Sequence, residues 1–356
     1  MVLYGYWREH CLSLKSGQIA IPKLVNEKYM LLSVIVPLYN SEPYIRKCLD
    51  SLLHQDIPHS QYEIICVNDE SPDNSYQLVQ EEYTSKYENI HLFSQKNQGT
   101  SGARNTGIKK SHGKYLAFID PDDYVQENVF GQLIQRMDCD NLDILRFAYT
   151  MVDEQYKVLP MPKNVIPVSS FSDKVDDGKS FLCNELGYSC FCWAYFYKAS
   201  LIKDKQLYFS PGVYLDDTDW LPFVLYHAKR VSSIPISVNF YLIREGSLIH
   251  GKNQEALRKK IEGSFQMIDI LKNRRCEVTE TKVKEWYKGM ESFLVFSMLK
   301  DIFSSLYAER KAYLEKLKEK KVFPLRYVGE TAKSKLSLFL INISPTLFSY
   351  FYRNFF

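Results

Sequence analysis

Four short runs in the first third of the chain are predominantly apolar, and the segments between them carry apolar residues at helical spacing. Strands are predicted over 32–36, 62–67, 90–93 and 115–119, with helices over 43–54, 73–86 and 101–111. Runs such as Ile64-Ile65-Cys66-Val67 and Leu116-Ala117-Phe118-Ile119 do not alternate polar with apolar, so each strand must be covered on both faces, as parallel strands are. Right-handed crossovers between parallel strands bring their C-terminal ends to one edge, where open α/β sheets bind ligands. The expected fold is α/β, with a Rossmann-like mixed, mainly parallel sheet and a helical C-terminal appendage.

The alternation weakens after residue 124. A stretch holding Trp193, Tyr195, Phe196 and Tyr197 leads to Asp216-Asp217-Thr218-Asp219-Trp220, and from residue 255 the pattern is helical with Lys/Arg-rich segments. At 356 residues the chain exceeds one average core, which fits a large domain with an appendage. Residues 1–30 lack periodicity, and Met30 stands directly before the first strand. They read as an N-terminal extension, with Met30 as a candidate native start.

The composition is globular, 46% hydrophobic and 24% charged, without repeats or low-complexity runs. A net charge of +3, with no zinc-finger spacing and no RNA-binding aromatic signature, argues against nucleic acid as a partner. The eight cysteines are scattered and several lie in apolar runs, as buried free thiols of a reducing cytoplasm do, so no disulfide framework is expected. Neither Cys190 with Cys192 nor the histidines show metal-ligand spacing. With no signal-peptide pattern and no long apolar run near the N-terminus, a cytoplasmic location is expected.

Two predicted strands run into carboxylates. Asn68-Asp69-Glu70-Ser71 follows the second, and Asp120-Pro121-Asp122-Asp123 follows the fourth. Carboxylates gathered at one sheet edge repel unless a cation or hydrogen-bond donors sit between them, so a hard, oxygen-ligated ion, Mg²⁺ or Mn²⁺, is a natural occupant. Helix capping and turn formation are the alternative reading of Asp120, Asp122 and Asp123. Between the two groups, Asn97 to Gly107 runs as a glycine-bearing loop into a helix. Gly99 and Gly102 permit close backbone approach there, and Arg104 lies on the first turns, a setting suited to a diphosphate.

Taken in order, Ser33-Val34-Ile35-Val36-Pro37-Leu38-Tyr39-Asn40, the turn at Asn68 to Asp73, the Asn97 to Gly107 loop and Asp120-Pro121-Asp122-Asp123 resemble the motifs of the inverting family 2 glycosyltransferases. Asp216-Asp217 resembles the family's Glu-Asp pair, and Tyr241 with Arg244-Glu245-Gly246-Ser247 its closing segment. The resemblance implies a glycosyltransferase-A fold over residues 31–250, with a nucleotide-binding half (31–123) and an acceptor half (124–250), and leaves 251–356 as a separate helical region. It implies that Pro37, Tyr39, Asn40, Glu42, Asp69, Asn97, Gly99, Arg104 and Asp120 bind the donor, a UDP-sugar in the first place. Asp69 would meet the imide of the base, and Asp122 with Asp120 the metal. Asp217, with Asp216 beside it, would be the base for the hydroxyl of a glycan or lipid-linked acceptor in surface polysaccharide synthesis. Asn68, Glu70 and Asp216 depart from the family's commonest residues at their positions.

Between Glu309 and Lys335 stand nine Lys/Arg against four Glu, and Leu336 to Phe356 adds seven Phe/Tyr around Pro345. That arrangement suits an anionic membrane surface, such as the inner face of the membrane, but not a full span. A packed helical hairpin with a solvated basic face is the alternative. Two rival functions remain at this stage. A sugar nucleotidyltransferase would usually open with a Gly-rich basic loop where Tyr39-Asn40-Ser41-Glu42-Pro43 stands, and an inactive assembly partner would not need Asp69, Asp120, Asp122 and Asp217. Trp193 reads more readily as core than as a sugar platform.

Overall fold

The computed structural model describes residues 29–161, 171–244, 254–304, 306–326 and 332–355. Residues 1–28 of the N-terminal extension, Glu245 to Ser247 of the closing segment and His250 lie outside them. The predicted alternation is present: β1 (Leu32–Leu38), α1 (Ile45–Leu53), β2 (Tyr62–Asn68), α2 (Ser75–Val79, continued as a wider turn to Thr84), β3 (Ile90–Ser94), α3 (Gly99–Lys110) and β4 (Tyr115–Phe118). Then follow β5 (Tyr124–Val125), α4 (Phe130–Cys139), β6 (Ile144–Val152), α5 (Gly178–Asn184), β7 (Tyr195–Lys198), α6 (Ala199–Asp204), α7 (Asp216–His227) and β8 (Val231–Leu242).

All eight strands form one sheet in the order β3-β2-β1-β4-β7-β6-β8-β5. Strands β1 to β4 pair in parallel, as their largely apolar, non-alternating runs imply. The later strands extend that sheet: β7 runs antiparallel between β4 and β6, and β6 pairs in parallel with β8 through a bulged register. The loss of alternation after residue 124 thus marks a change from parallel to mixed pairing within one sheet.

Both faces of the parallel half are covered. On one, Leu32, Val34, Val36 and Leu38 of β1 join Ile45, Cys48, Leu49 and Leu52 of α1 and Phe130, Leu133, Ile134 and Met137 of α4 in one buried cluster. Each such side chain contributes about 1.5–3 kcal/mol on burial. On the other face α3 lies so close to β1 that a Cβ on Gly107 would stand 2.3 Å from a methyl of Ile35. Glycine at 107 therefore sets how near the Arg104 helix can come to the sheet. Cys48, Cys66, Cys190 and Cys192 are buried free thiols, as expected. Cys139 departs from that expectation and is disulfide-bonded.

The chain divides into two compact units. The first holds the described residues up to Phe181, with Phe191–Gly212 and Trp220–Ile243, and so contains the sheet. The second holds Leu182–Cys190, Val213–Asp219 and the described residues from Arg244 onward. Its long helices are α8 (Gln254–Glu277), α9 (Thr281–Ser304), α10 (Arg310–Glu319), α11 (Ala332–Ile343) and α12 (Pro345–Phe355). Ile261, Phe265, Ile268 and Leu271 of α8 and Tyr287, Val295, Leu299 and Ile302 of α9 are buried. Pro345 starts α12, at the helix position where a missing N–H costs nothing. Among the described residues no helix is long and apolar enough to cross a membrane.

Candidate active site

In the sheet, β1 lies between β2 and β4, so the chain segments leaving β2 and β4 flank the end of β1. Two strand spacings separate them, about 10 Å, a gap that a nucleoside with its phosphates can bridge. Asp69 follows β2, its backbone N–H bonded to the Leu38 carbonyl at 3.0 Å. The residue is 2% exposed. Its Oδ1 accepts the Gln98 backbone N–H at 2.9 Å and the Gln95 side-chain amide at 2.7 Å, while Oδ2 takes no hydrogen bond from any described residue and is not sealed from solvent. Gln95, in turn, accepts the Thr106 hydroxyl on Oε1 at 2.5 Å.

At the end of β1, Pro37 is buried within the strand and Tyr39 is 53% exposed over the edge. Asn40 takes a positive φ of 52°, a conformation Asn tolerates, and its N–H donates to Ser71 Oγ at 2.7 Å. Asp73 gathers this corner: it accepts Ser71 Oγ, Ser75 Oγ and the Glu42 backbone N–H. Partial burial alone would raise the Asp73 carboxyl, but these bonds outweigh it and hold it below its ordinary value. Glu42, expected to assist at the base, has its carboxylate on the backbone N–H and side-chain amide of Asn74, just before α2. It joins the two loops.

Asn97 and Gly99 shape the turn into α3. The Asn97 N–H donates to Glu70 Oε2 at 3.2 Å, and Asn97 Oδ1 accepts the Gly99 N–H at 3.3 Å. Gly99 has φ +75° with open space around it, so glycine is needed there for backbone conformation, not for room. Gly102 is the reverse case: a Cβ would lie 2.4 Å from Gln98 Cβ and 3.3 Å from Gln95 Nε2.

Across β1, Arg104 reaches Asp120 Oδ1 at 2.8 Å. The arginine is 4% exposed and lies over the Phe209 ring, and Asp120 keeps 24% of its side chain exposed. Arg104, expected at the base or diphosphate, holds Asp120 through this bond. Asp123 is buried and accepts the Leu242 N–H at 2.9 Å, which fastens the end of β8 to the acidic turn. Tyr241 is thereby brought beside that turn, and burial together with the charges of Asp123, Asp120 and Asp122 pushes its hydroxyl well up. Trp193 is 3% exposed and stacks on Phe191 and Tyr241, a core position.

Among the described residues no three His, Cys, Asp or Glu side chains gather as a metal cage. Asp120 and the half-buried Asp122 offer a two-carboxylate, all-oxygen set. That set suits Mg²⁺ or Mn²⁺, which bind through one or two carboxylates plus phosphate oxygens.

Asp216, Asp217 and Asp219 open α7, within the second unit's Val213–Asp219 stretch. Asp219 is fully buried and bound in two places by Arg274, at 2.7 and 3.3 Å, so its role is structural. Asp216 Oδ1 accepts the Asp217 backbone N–H at 3.1 Å. Burial, followed by the charge of Asp217, raises the Cys190 thiol well above its ordinary value.

A sheet edge with carboxylates after the two strands that flank β1, and a glycine-bearing helix start between them in sequence, is the arrangement of a nucleotide-dependent group-transfer site in class. Residues 33–201 match the profile of Glycosyl transferase family 2. The chain is 31% identical to the uncharacterized glycosyltransferase EpsJ of Bacillus subtilis (strain 168), over 66% of this chain and 68% of that one. It is 30% identical to the glycosyltransferase GlyA of Streptococcus pneumoniae serotype 4 over 70% of this chain, though it spans only 35% of that protein. The fold matches residues 1–349 of S. aureus TarS in complex with UDP-GlcNAc at a TM-score of 0.65 and 20% identity, covering 91% of this chain and 89% of that one. It also matches the mannosyltransferase PcManGT of Pyrobaculum calidifontis in complex with GDP-Man and Mn²⁺ at a TM-score of 0.53 and 14% identity, over 98% and 94% of the two chains. The chain belongs to the family 2 glycosyltransferases. This decides against the sugar nucleotidyltransferase alternative.

Proposed function

We propose that the protein moves a sugar from a UDP-sugar, with inversion, to a hydroxyl of a glycan or lipid-linked acceptor in surface polysaccharide synthesis, using Mn²⁺ or Mg²⁺. The observation that carries the donor part is Asp69: a carboxylate 98% withdrawn from solvent, with one oxygen held by two N–H donors and the other open. An imide N–H of uracil is the complement of such a group, and Tyr39 stands exposed beside it for stacking. From Asp69 the nucleotide would run past β1 toward Asp120 and Asp122. Those two would hold the metal, which when bound carries charge for the departing diphosphate. Arg104 keeps Asp120 in place for that purpose.

Asp217 takes the base role. An inverting transfer needs one carboxylate to remove the acceptor's proton as its oxygen attacks the anomeric carbon and the nucleoside diphosphate leaves. Asp219 is bound by Arg274 within the second unit, and the resemblance to the family's acidic pair sets the base at Asp217, with Asp216 beside it. A cytoplasmic site is proposed on the buried free thiols, with the disulfide-bonded Cys139 standing against it, and contact with the membrane's inner face would bring lipid-linked acceptors within reach. Support for that contact comes from α11, where Leu336, Phe339 and Ile343 are 51%, 62% and 61% exposed on one side, near the basic α10 in sequence.

A thermal-shift panel of nucleotide sugars with Mn²⁺ tests the donor reading. A UDP-sugar should raise the melting temperature in a concentration-dependent way. Stabilisation by none of the nucleotide sugars would contradict it, and would leave the inactive assembly partner as the surviving alternative.

A further inference from the structure

We infer that Gln95, held by Thr106, is a positioning residue that fixes the Asp69 carboxylate so that a single oxygen faces the nucleotide base, which makes the pocket selective for an imide edge. The inference rests on the donor reading above. The geometry is a chain of three side chains: Thr106 Oγ1 to Gln95 Oε1 at 2.5 Å, then Gln95 Nε2 to Asp69 Oδ1 at 2.7 Å. Its direction follows from chemistry. A carboxylate only accepts, so the Gln95 amide must turn its NH₂ toward Asp69. Its carbonyl oxygen then points away and needs a donor, which the Thr106 hydroxyl supplies.

The Gln98 backbone N–H is the second donor on Oδ1, so that oxygen is fully engaged and the carboxylate cannot swing. Oδ2 is left as a lone acceptor. A base presenting a ring N–H, as uracil does, can donate to it. Cytosine presents an acceptor at the same ring position and would meet a carboxylate with like polarity. Without Gln95, Asp69 could rotate and offer either oxygen, and the discrimination would blur. Gly102 belongs to the same device, since any side chain there would press on both Gln98 and Gln95.

The test is calorimetric titration of the full chain with UDP and with CDP, for wild type, Gln95→Ala, Thr106→Val, the double variant and Asp69→Asn. Thr106→Val keeps the shape and removes only the hydroxyl, so it serves even where Gln95→Ala folds poorly. Removing a bond to a charged acceptor should weaken UDP binding roughly tenfold in Gln95→Ala and by a smaller factor in Thr106→Val. CDP binding should change little, so the UDP-to-CDP ratio falls. Because Thr106 acts through Gln95, the double variant should be no worse than Gln95→Ala alone. Two results would overturn the inference while leaving the donor site standing: UDP affinity and selectivity unchanged in both single variants although Asp69→Asn loses UDP, or fully additive losses. If wild type bound no UDP at all, the donor reading itself would fall, and the device with it.

Discussion

Arg104 and Asp120 form a buried-to-exposed pair: the guanidinium, 4% exposed, donates at 2.8 Å to a carboxylate that still presents a quarter of its side chain to solvent. The cation thus shapes a carboxylate at the sheet edge. Arg104→Lys keeps the charge but loses the planar fork, and a shorter head group cannot reproduce the geometry. Expected are a lower melting temperature and at least severalfold weaker UDP binding in the presence of Mn²⁺, both readable from calorimetry. Unchanged nucleotide affinity would mean that Asp120 needs no such clasp.

Asp122→Asn should greatly weaken the Mn²⁺-dependent part of nucleoside diphosphate binding and leave the fold intact, because the side chain is half-buried in a turn. Titrating UDP with Mn²⁺ and again with chelator separates the two parts. Equal Mn²⁺ enhancement in variant and wild type would remove Asp122 from the metal site.

The Asp73 carboxyl is held low, so its contribution to stability has a definite sign. A depressed folded-state pKa stabilises above the unfolded value, about 3.9, and that stability is lost as pH falls through the folded value. Asp73→Asn should therefore be less stable than wild type near pH 7 by urea unfolding, and the gap should shrink at about pH 3. A gap independent of pH would assign the loss to packing instead of charge.

How much of this could be read from residues alone differs from one group to the next. The strands of the parallel half were legible because each is mostly apolar without polar alternation, and Asp69 and Asp120 because each follows such a run. The partners that give those carboxylates their meaning were not. Gln95 sits in an ordinary polar stretch, and nothing local says that its amide reaches Asp69, 26 positions earlier. Glu42 sits beside the β1 motif, yet its carboxylate is taken by Asn74, 32 residues on, and Asp123 is taken by Leu242, 119 residues on. The antiparallel insertion of β7 was hidden for the same reason: strand order is a long-range property, and β7 is too short to show a period. A signal was available for Gly107 and Gly102, since glycines inside a helix ask for a packing reason.

Removing the whole aromatic tail would be a poor probe of membrane contact, because Phe348 of α12 is 1% exposed and packs on Phe303. Leu336, Phe339 and Ile343 are the better targets, being exposed on α11. Changing all three to Ser should leave the melting temperature nearly unchanged and reduce sedimentation with vesicles containing anionic lipid. Equal sedimentation of both forms would sink the membrane contact.

Transfer chemistry is tested most directly by following a UDP-α-linked sugar by NMR, with Mn²⁺ and a hydroxyl acceptor, for wild type and for Asp217→Asn. Wild type should release UDP and produce a β-linked anomeric signal. Asp217→Asn should bind UDP normally but turn over roughly 10²- to 10⁴-fold more slowly, the usual share of a general base, with Asp216→Asn milder. An α-linked product, or turnover that survives Asp217→Asn and fails in Asp216→Asn, would contradict the inverting mechanism with Asp217 as its base.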